Sequence, residues 1–393
     1  MPPALYLLAL AVFAMGTSEF MLAGLVPDIA AELGVEIAST GLLTSAFAIG
    51  MVVGAPVMAA LARNRPVRAS LLGFLAVFLA AHIAGAVTGS FAVLVATRVV
   101  AALANAGFLA VALSAATSLV PAGQRGRALA VLLSGTTIAT IAGVPGGALL
   151  GAVFGWRVTF WAVALVCLPA AVGVLAGFPA RRHDPGTPGP DLAAELALLA
   201  RPRLIAVMLL AALVNAATFG AFTFLAPLVT GRAGLGELWV PVVLVLFGAG
   251  SFAGVTVAGR LSDTRPGGVV AVAGPLLCAG WFATAAAAGR PVILLVLVFV
   301  QGALSFAVGS TLITRVLYES AGAPAMGGSY ATAALNIGAV VGPVVAGVAL
   351  GSGLGSLGPA VSSGVLVAAA LLLAAGCRSV LVGGSRPPVP AVL

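Results

Sequence analysis

Apolar residues in this chain run for twenty or so positions at a stretch, interrupted by short clusters of charge, Gly and Pro, without the polar/apolar alternation of a membrane β-barrel. Runs of that length match the ~20 residues that an α-helix needs to cross a bilayer, where it satisfies its own backbone hydrogen bonds. The pattern predicts about twelve such helices. In the first half they fall near residues 4–26, 38–60, 68–88, 92–117, 128–152 and 157–178. In the second half they fall near 203–226, 238–260, 267–288, 291–315, 325–350 and 358–382.

Composition agrees: 62% of residues are hydrophobic and only 7% charged, so no room remains for a soluble domain. The 51 Gly and 24 Pro suit close helix packing and local breaks in a membrane bundle. All 18 basic residues are Arg, and they concentrate in alternate loops. Arg63, Arg65 and Arg68, then Arg125 and Arg127, Arg181 to Arg203, Arg260 and Arg265, and Arg315 mark one side, while the intervening loops hold Arg157, Arg232 and Arg290 beside Asp28, Glu32, Glu36 and Glu237. Positive charge prefers the cytoplasmic side, so a multi-pass protein of the inner (cytoplasmic) membrane with both termini cytoplasmic is expected. The net charge of +8 then follows from topology and implies no nucleic-acid partner. The first run lacks a basic flank and a small-residue cleavage site and reads as a membrane helix rather than a signal peptide. Cys167, Cys278 and Cys377 show no metal-ligand spacing, so no metal and no cofactor is expected.

The longest charged interruption, Ala180 to Arg203, divides the chain into residues 1–180, a linker 181–202 and residues 203–393. An offset of 200 residues lays Gly50, Gly54, Leu61, Arg65 and Pro66 over Gly250, Gly254, Leu261, Arg265 and Pro266, and Pro27 over Pro227. The expected fold class is thus an all-α membrane protein with twelve transmembrane helices in two pseudo-symmetric six-helix bundles. Two matched bundles around a central site suit alternating access, the working principle of a transporter rather than an enzyme.

Glu19, in the stretch GTSEFMLAG, lies ~10 Å inside the first span at 1.5 Å per residue. A carboxylate there must face a cavity, find a cation or take up a proton. Arg98 in the fourth span reaches a similar depth, and His82 in the third falls in the same layer. Arg98 is expected to stabilise the Glu19 carboxylate in one state and part from it in another. At the 200-residue offset the two positions are Phe219 and Val298, so only the first half carries the ionisable pair. His82 reads as a packing residue, since a lone His is often just hydrogen-bonded, Asp28 as a solvated loop or turn residue, and the four Trp mostly as interfacial anchors near helix ends.

Several motifs carry a resemblance. GRLSDTRPG, from Gly259 to Gly267, is similar to the signature of the major facilitator superfamily for the loop between the second and third helices of a half; the resemblance assigns its charged latch to Asp263 with Arg260 or Arg265. In the first half Arg63 replaces the acid. RVVAALANAG, starting at Arg98, resembles the motif of an intramembrane Arg linked to proton coupling. GTTIATIAGVPGGALLG, with Gly143 and Pro145, resembles the fifth-helix antiporter motif. GTSEFMLAGLVPDIA, AALANAGFLAVALS, GSTLITRVLY and MGGSYATAALNIGA are similar to text of the drug:proton antiporter branch, in particular the chloramphenicol exporters of actinomycetes.

That resemblance implies antiport of a small amphipathic drug, such as chloramphenicol, against protons; export of sugars or amino-acid-like metabolites is the alternative. In that architecture the first and fourth helices of each half line the cavity, which nominates Asn105, Asn215 and Gln301 beside Glu19 as substrate-binding groups. Asn336 shares a helix face with Ser329 and Thr332. Phe219 and Phe222, with Phe224 and Phe306, are candidate aromatic walls. Twelve helices suffice for one complete transporter, so a monomer in the lipid bilayer is expected.

Overall fold

A computed structural model describes residues 2–62, 65–121, 125–177, 197–262, 266–320 and 327–376. Among them are twelve helices long and apolar enough to cross a membrane. The first six are α1 (Pro3–Phe20), α2 (Gly41–Ala62), α3 (Val67–Val87), α4 (Phe91–Ser118), α5 (Arg125–Ile138, Ala139–Gly143 and Val144–Phe154 in succession) and α6 (Trp156–Gly177). The second six are α7 (Pro202–Thr223), α8 (Trp239–Ser262), α9 (Pro266–Ala286), α10 (Pro291–Glu319), α11 (Gly327–Leu350) and α12 (Gly358–Gly376). The protein is therefore a multi-pass membrane protein, with every expected span present.

Two spans depart from straight helices. α1 gives way at Phe20 to a tight 3-10 turn, Met21–Gly24, followed by a short helix, Val26–Leu33. Pro27 causes the break, because it has no N–H to continue the ladder and suits the first turn of a new helix; Gly34, at φ 64°, ends that helix in the left-handed conformation. Inside α5 the segment Ala139–Gly143 winds as a wide π-turn just before Pro145, whose missing N–H again interrupts the regular ladder.

The duplication seen in the sequence recurs in packing. α1 packs on α5 and α6, α2 on α4, and α3 on α4 and α6; the second half repeats this with α7 on α11 and α12, α8 on α10, and α9 on α10 and α12. Gly50 faces Val99 and Ala102 while Gly250 faces Phe299, and Gly54 faces Leu103 while Gly254 faces Ala303, so the contacts also move by 200 residues. Each of these glycines lets one helix backbone approach another closely, as small residues do between membrane helices.

The halves meet through α2 with α11 and α5 with α8. Ser45 donates to the Val340 carbonyl at 2.7 Å, Gly41 lies against Pro343, Gly347 against Ala38, and Gly248 against Thr140. Ala23, Val144 and Ala148 join the apolar core of the second half, and Val26 packs with Phe224 and Ala346. Most of these residues lie toward the end of the bundle opposite the termini, with Gly248 and Thr140 nearer mid-span, so the halves are in contact over that part of the seam.

A strap reinforces that end. Glu32 accepts from Trp156 Nε1 at 2.7 Å and pairs with Arg157 at 2.8 Å, and Arg157 also donates to the Thr88 carbonyl at 2.7 Å. The guanidinium lies 4.3 Å from the Trp156 ring centroid. Trp156 is thus a buried hydrogen-bonded residue, unlike the interfacial anchor expected, and Trp281 is buried too; Trp161 and Trp239 are the exposed ones. Glu32→Ala is expected to lower stability by about 1 kcal/mol, since the Trp156 bond is sheltered while the ion pair is half exposed. Thermal unfolding in detergent, with Glu36→Ala as the neutral control, measures it.

Candidate functional site

The site is built around the break in α1. Arg98, 1% exposed on α4, donates Nη1 to the Ser18 hydroxyl at 2.9 Å and Nη2 to the Ser18 carbonyl at 2.8 Å. The guanidinium carbon lies 4.4 Å from the Phe47 ring centroid, a cation–π contact from α2. His82, on α3, meets the same hydroxyl with Nε2 at 2.7 Å and the Phe78 carbonyl with Nδ1 at 2.8 Å. Its ring is held between Phe78 and Phe160, at centroid distances of 4.1 and 5.7 Å. Ser18 thus receives groups from two other helices one residue before Glu19.

The expected Arg98–Glu19 pair is not formed. The guanidinium is taken up by Ser18, and Glu19, half-buried on α1, interacts with Arg98 only through space. His82, read as a packing residue, is hydrogen-bonded on both ring nitrogens and shares the hydroxyl that holds Arg98. Ser18 went unnoticed in the sequence; the only signal was its place beside Glu19.

Across the seam, rings form a row from α1 into the second half. Phe20 lies 5.6 Å from Phe219, Phe219 6.4 Å from Phe222, Phe222 5.0 Å from Phe247, and Phe247 6.3 Å from Phe306. Phe219, Phe222 and Phe306 are therefore brought together with Phe20, immediately after the acid. Phe224 is not among them: it is buried against Val26 and Ala346 and seals the seam.

The polar candidates divide. Asn215 on α7 donates to the Leu335 carbonyl of α11 at 2.7 Å, and Asn336, the next residue, donates to Thr332 of its own helix at 3.0 Å. Asn105 is buried on α4. Gln301 does not line the expected cavity: it is fully buried, donates Nε2 to the Leu277 carbonyl of α9 at 3.1 Å and packs against Gly280, because the missing side chain there opens a slot between α9 and α10. Gly143 lies in the π-turn against Thr17 and Phe13 of α1, and Pro145 starts the segment after it. Asp263 and Arg265 lie outside the described residues, as does the side chain of Arg260.

Asp28 is not a freely solvated turn residue. It is half-buried in the helix Val26–Leu33 and lines a cavity of about 50 Å³ with Glu237 of the other half. Burial, and then the carboxylates of Glu237 and Glu32, raise its pKa above the usual aspartate value.

Known proteins share this chain's sequence and shape. A family model, Major Facilitator Superfamily, matches residues 8–343. The chain is 70% identical over 382 residues to a chloramphenicol resistance protein of Streptomyces lividans, covering 97% of each. It is 31% identical over 376 residues to the inner membrane transport protein YdhP of Escherichia coli K12, covering 93% of each. Among solved structures, a bacterial homologue of the human lysosomal transporter Spinster, in its inward-facing and unoccupied conformation, superposes with a TM-score of 0.75 at 16% identity, over 99% of this chain and 100% of that one.

Proposed function

The chain belongs to the Major Facilitator Superfamily, and from that premise we propose that it is a proton-coupled antiporter exporting chloramphenicol or related small amphipathic drugs across the cytoplasmic membrane. The observation that carries the reading is the break in α1. There Glu19, with Glu319 at the end of α10 the only acid in the described spans, adjoins a buried Arg–Ser–His cluster and a row of rings that crosses the seam, in a chain 70% identical to a chloramphenicol resistance protein.

On this reading residues 1–180 and 203–393 rock as two units about a central site, with both termini cytoplasmic, as a monomer. Drug enters from the terminal side while Glu19 is ionised, the halves tilt, and a proton from the far side neutralises Glu19 as drug leaves. Apolar and aromatic contact with Phe219 and Phe222 supplies most of the affinity, and Asn105, Asn215 and Asn336 orient the drug. Chloramphenicol is neutral, so the carboxylate acts as a hydrogen-bond acceptor whose capacity falls on protonation. That difference is what a proton must supply, because a ligand with equal affinity for both states shifts neither. Asp263, Arg260 and Arg265 serve as the latch between α8 and α9, and Gly143 and Pro145 as the flexible point of α5.

Expression in a susceptible host, tested against chloramphenicol, florfenicol and unrelated drugs, checks the substrate class. Protection restricted to the phenicols is the expected result. No protection against them, with uptake or release of sugars altered instead, would replace it with metabolite export.

A further inference from the structure

We infer that His82 is a positioning residue for the coupling step: through the Ser18 hydroxyl it holds the Arg98 guanidinium on the backbone of α1 and off Glu19. The inference rests on Glu19 being the proton carrier, as proposed above.

A serine hydroxyl has one proton to give and lone pairs to offer. The Phe78 carbonyl can only accept, so the hydrogen of the neutral His82 ring is on Nδ1, and the bare Nε2 accepts the Ser18 O–H at 2.7 Å. That acceptor fixes the hydroxyl rotor and leaves a lone pair for Arg98 Nη1 at 2.9 Å. A charged imidazolium would instead bring a second cation to the same oxygen. Phe78 and Phe160 both pack against the ring, at centroid distances of 4.1 and 5.7 Å, and restrict its movement. The second prong of Arg98, on the Ser18 carbonyl, grips α1 where its regular winding ends.

The other half provides a comparison. At the 200-residue offset Ser18, His82 and Arg98 become Thr218, Phe282 and Val298. There, Thr218 turns its hydroxyl back to the Val214 carbonyl of its own helix at 2.8 Å, the usual habit of Ser and Thr inside membrane helices. Without an imidazole acceptor Ser18 would do the same, and Arg98 would lose its alignment with the hydroxyl. The ionisable groups carried by the elements around His82 are Glu19 and the exposed Tyr6 on α1, Arg98 on α4, and Cys167 and Arg157 on α6, the last already held by Glu32. A released guanidinium therefore has Glu19, one residue on, as its anionic partner.

The test uses the full-length protein in proteoliposomes, with chloramphenicol as probe and two readouts: uptake driven by a pH gradient, recorded across pH, and equilibrium exchange, which needs no net proton movement. His82→Phe and Ser18→Ala are expected to move the half-maximal pH of driven transport toward acid by about one unit, because a carboxylate paired with a guanidinium keeps its charge to lower pH. Exchange should persist in both. His82→Gln, whose amide oxygen can accept from Ser18, should restore the original profile. If driven transport and exchange fall together in His82→Phe and Ser18→Ala with no shift in profile, the cluster is merely structural and the inference is overturned. Retention of gradient-driven accumulation by Glu19→Gln would instead overturn the functional reading beneath it.

Discussion

Glu19→Gln is expected to reduce gradient-driven accumulation of chloramphenicol in inverted vesicles to the level of vesicles lacking the protein, while equilibrium exchange continues. The amide keeps the shape of the side chain and its accepting oxygen, but it can neither carry charge nor release a proton near neutral pH. No other acid is found within the described membrane spans except Glu319, at the far terminal end of α10. The second half offers no substitute, since Phe219 occupies the corresponding position. The carboxylate is also not consumed by an ion pair, because Arg98 is engaged by Ser18 at 2.9 and 2.8 Å. Accumulation at the wild-type rate in this variant would transfer the carrier role elsewhere. Loss of exchange as well would show that drug binding needs the carboxylate itself and not merely an accepting oxygen.

Gly250→Val is expected to have the largest effect on the folded protein. A Cβ at Gly250 would run into the Phe299 carbonyl, and at Gly302, nearby on α10, into that of Phe247; neither obstacle is a side chain that can rotate aside. Forcing the helices apart costs about 1–3 kcal/mol or more per overpacked position. It also breaks contact along the whole α8–α10 pair. Gly146→Ala, where the added carbon meets nothing within 4 Å, is the matched control. Thermal unfolding of the detergent-solubilised variants should show a large drop for the first and little change for the second. Equal melting would mean that the two backbones are not in close contact.

The number and limits of the spans were readable from run length because hydrocarbon admits few alternatives: a polar backbone must bond within its own helix. The repeat was readable from Gly50 and Gly250, whose requirement for close approach is the same in both halves. Which way a side chain points was not readable. In a soluble helix the apolar stripe reports the buried face, but in these spans the lipid-facing and protein-facing sides are both apolar. The sequence thus does not show that Gln301 fills a slot beside Gly280, nor that the hydrogen bond of a packed His82 goes to Ser18. The breaks in α1 and α5 were also missed as breaks. Pro27 and Pro145 were visible, but a proline near a helix end and one inside a span look alike until the neighbouring backbone is placed.

The glycine contacts bear on how such a molecule can flex. At the glycines where α2 meets α4 and α8 meets α10, main chain lies close to main chain with no long side chain between to act as a cushion, so in the proposed rocking each pair is expected to move as a stiff plate. Strain imposed by tilting has to collect where the helical ladder is already irregular: the tight turn after Phe20 and the wide turn before Val144. Both irregular turns border α1, so that on the rocking proposed above Glu19 would lie beside the pivot.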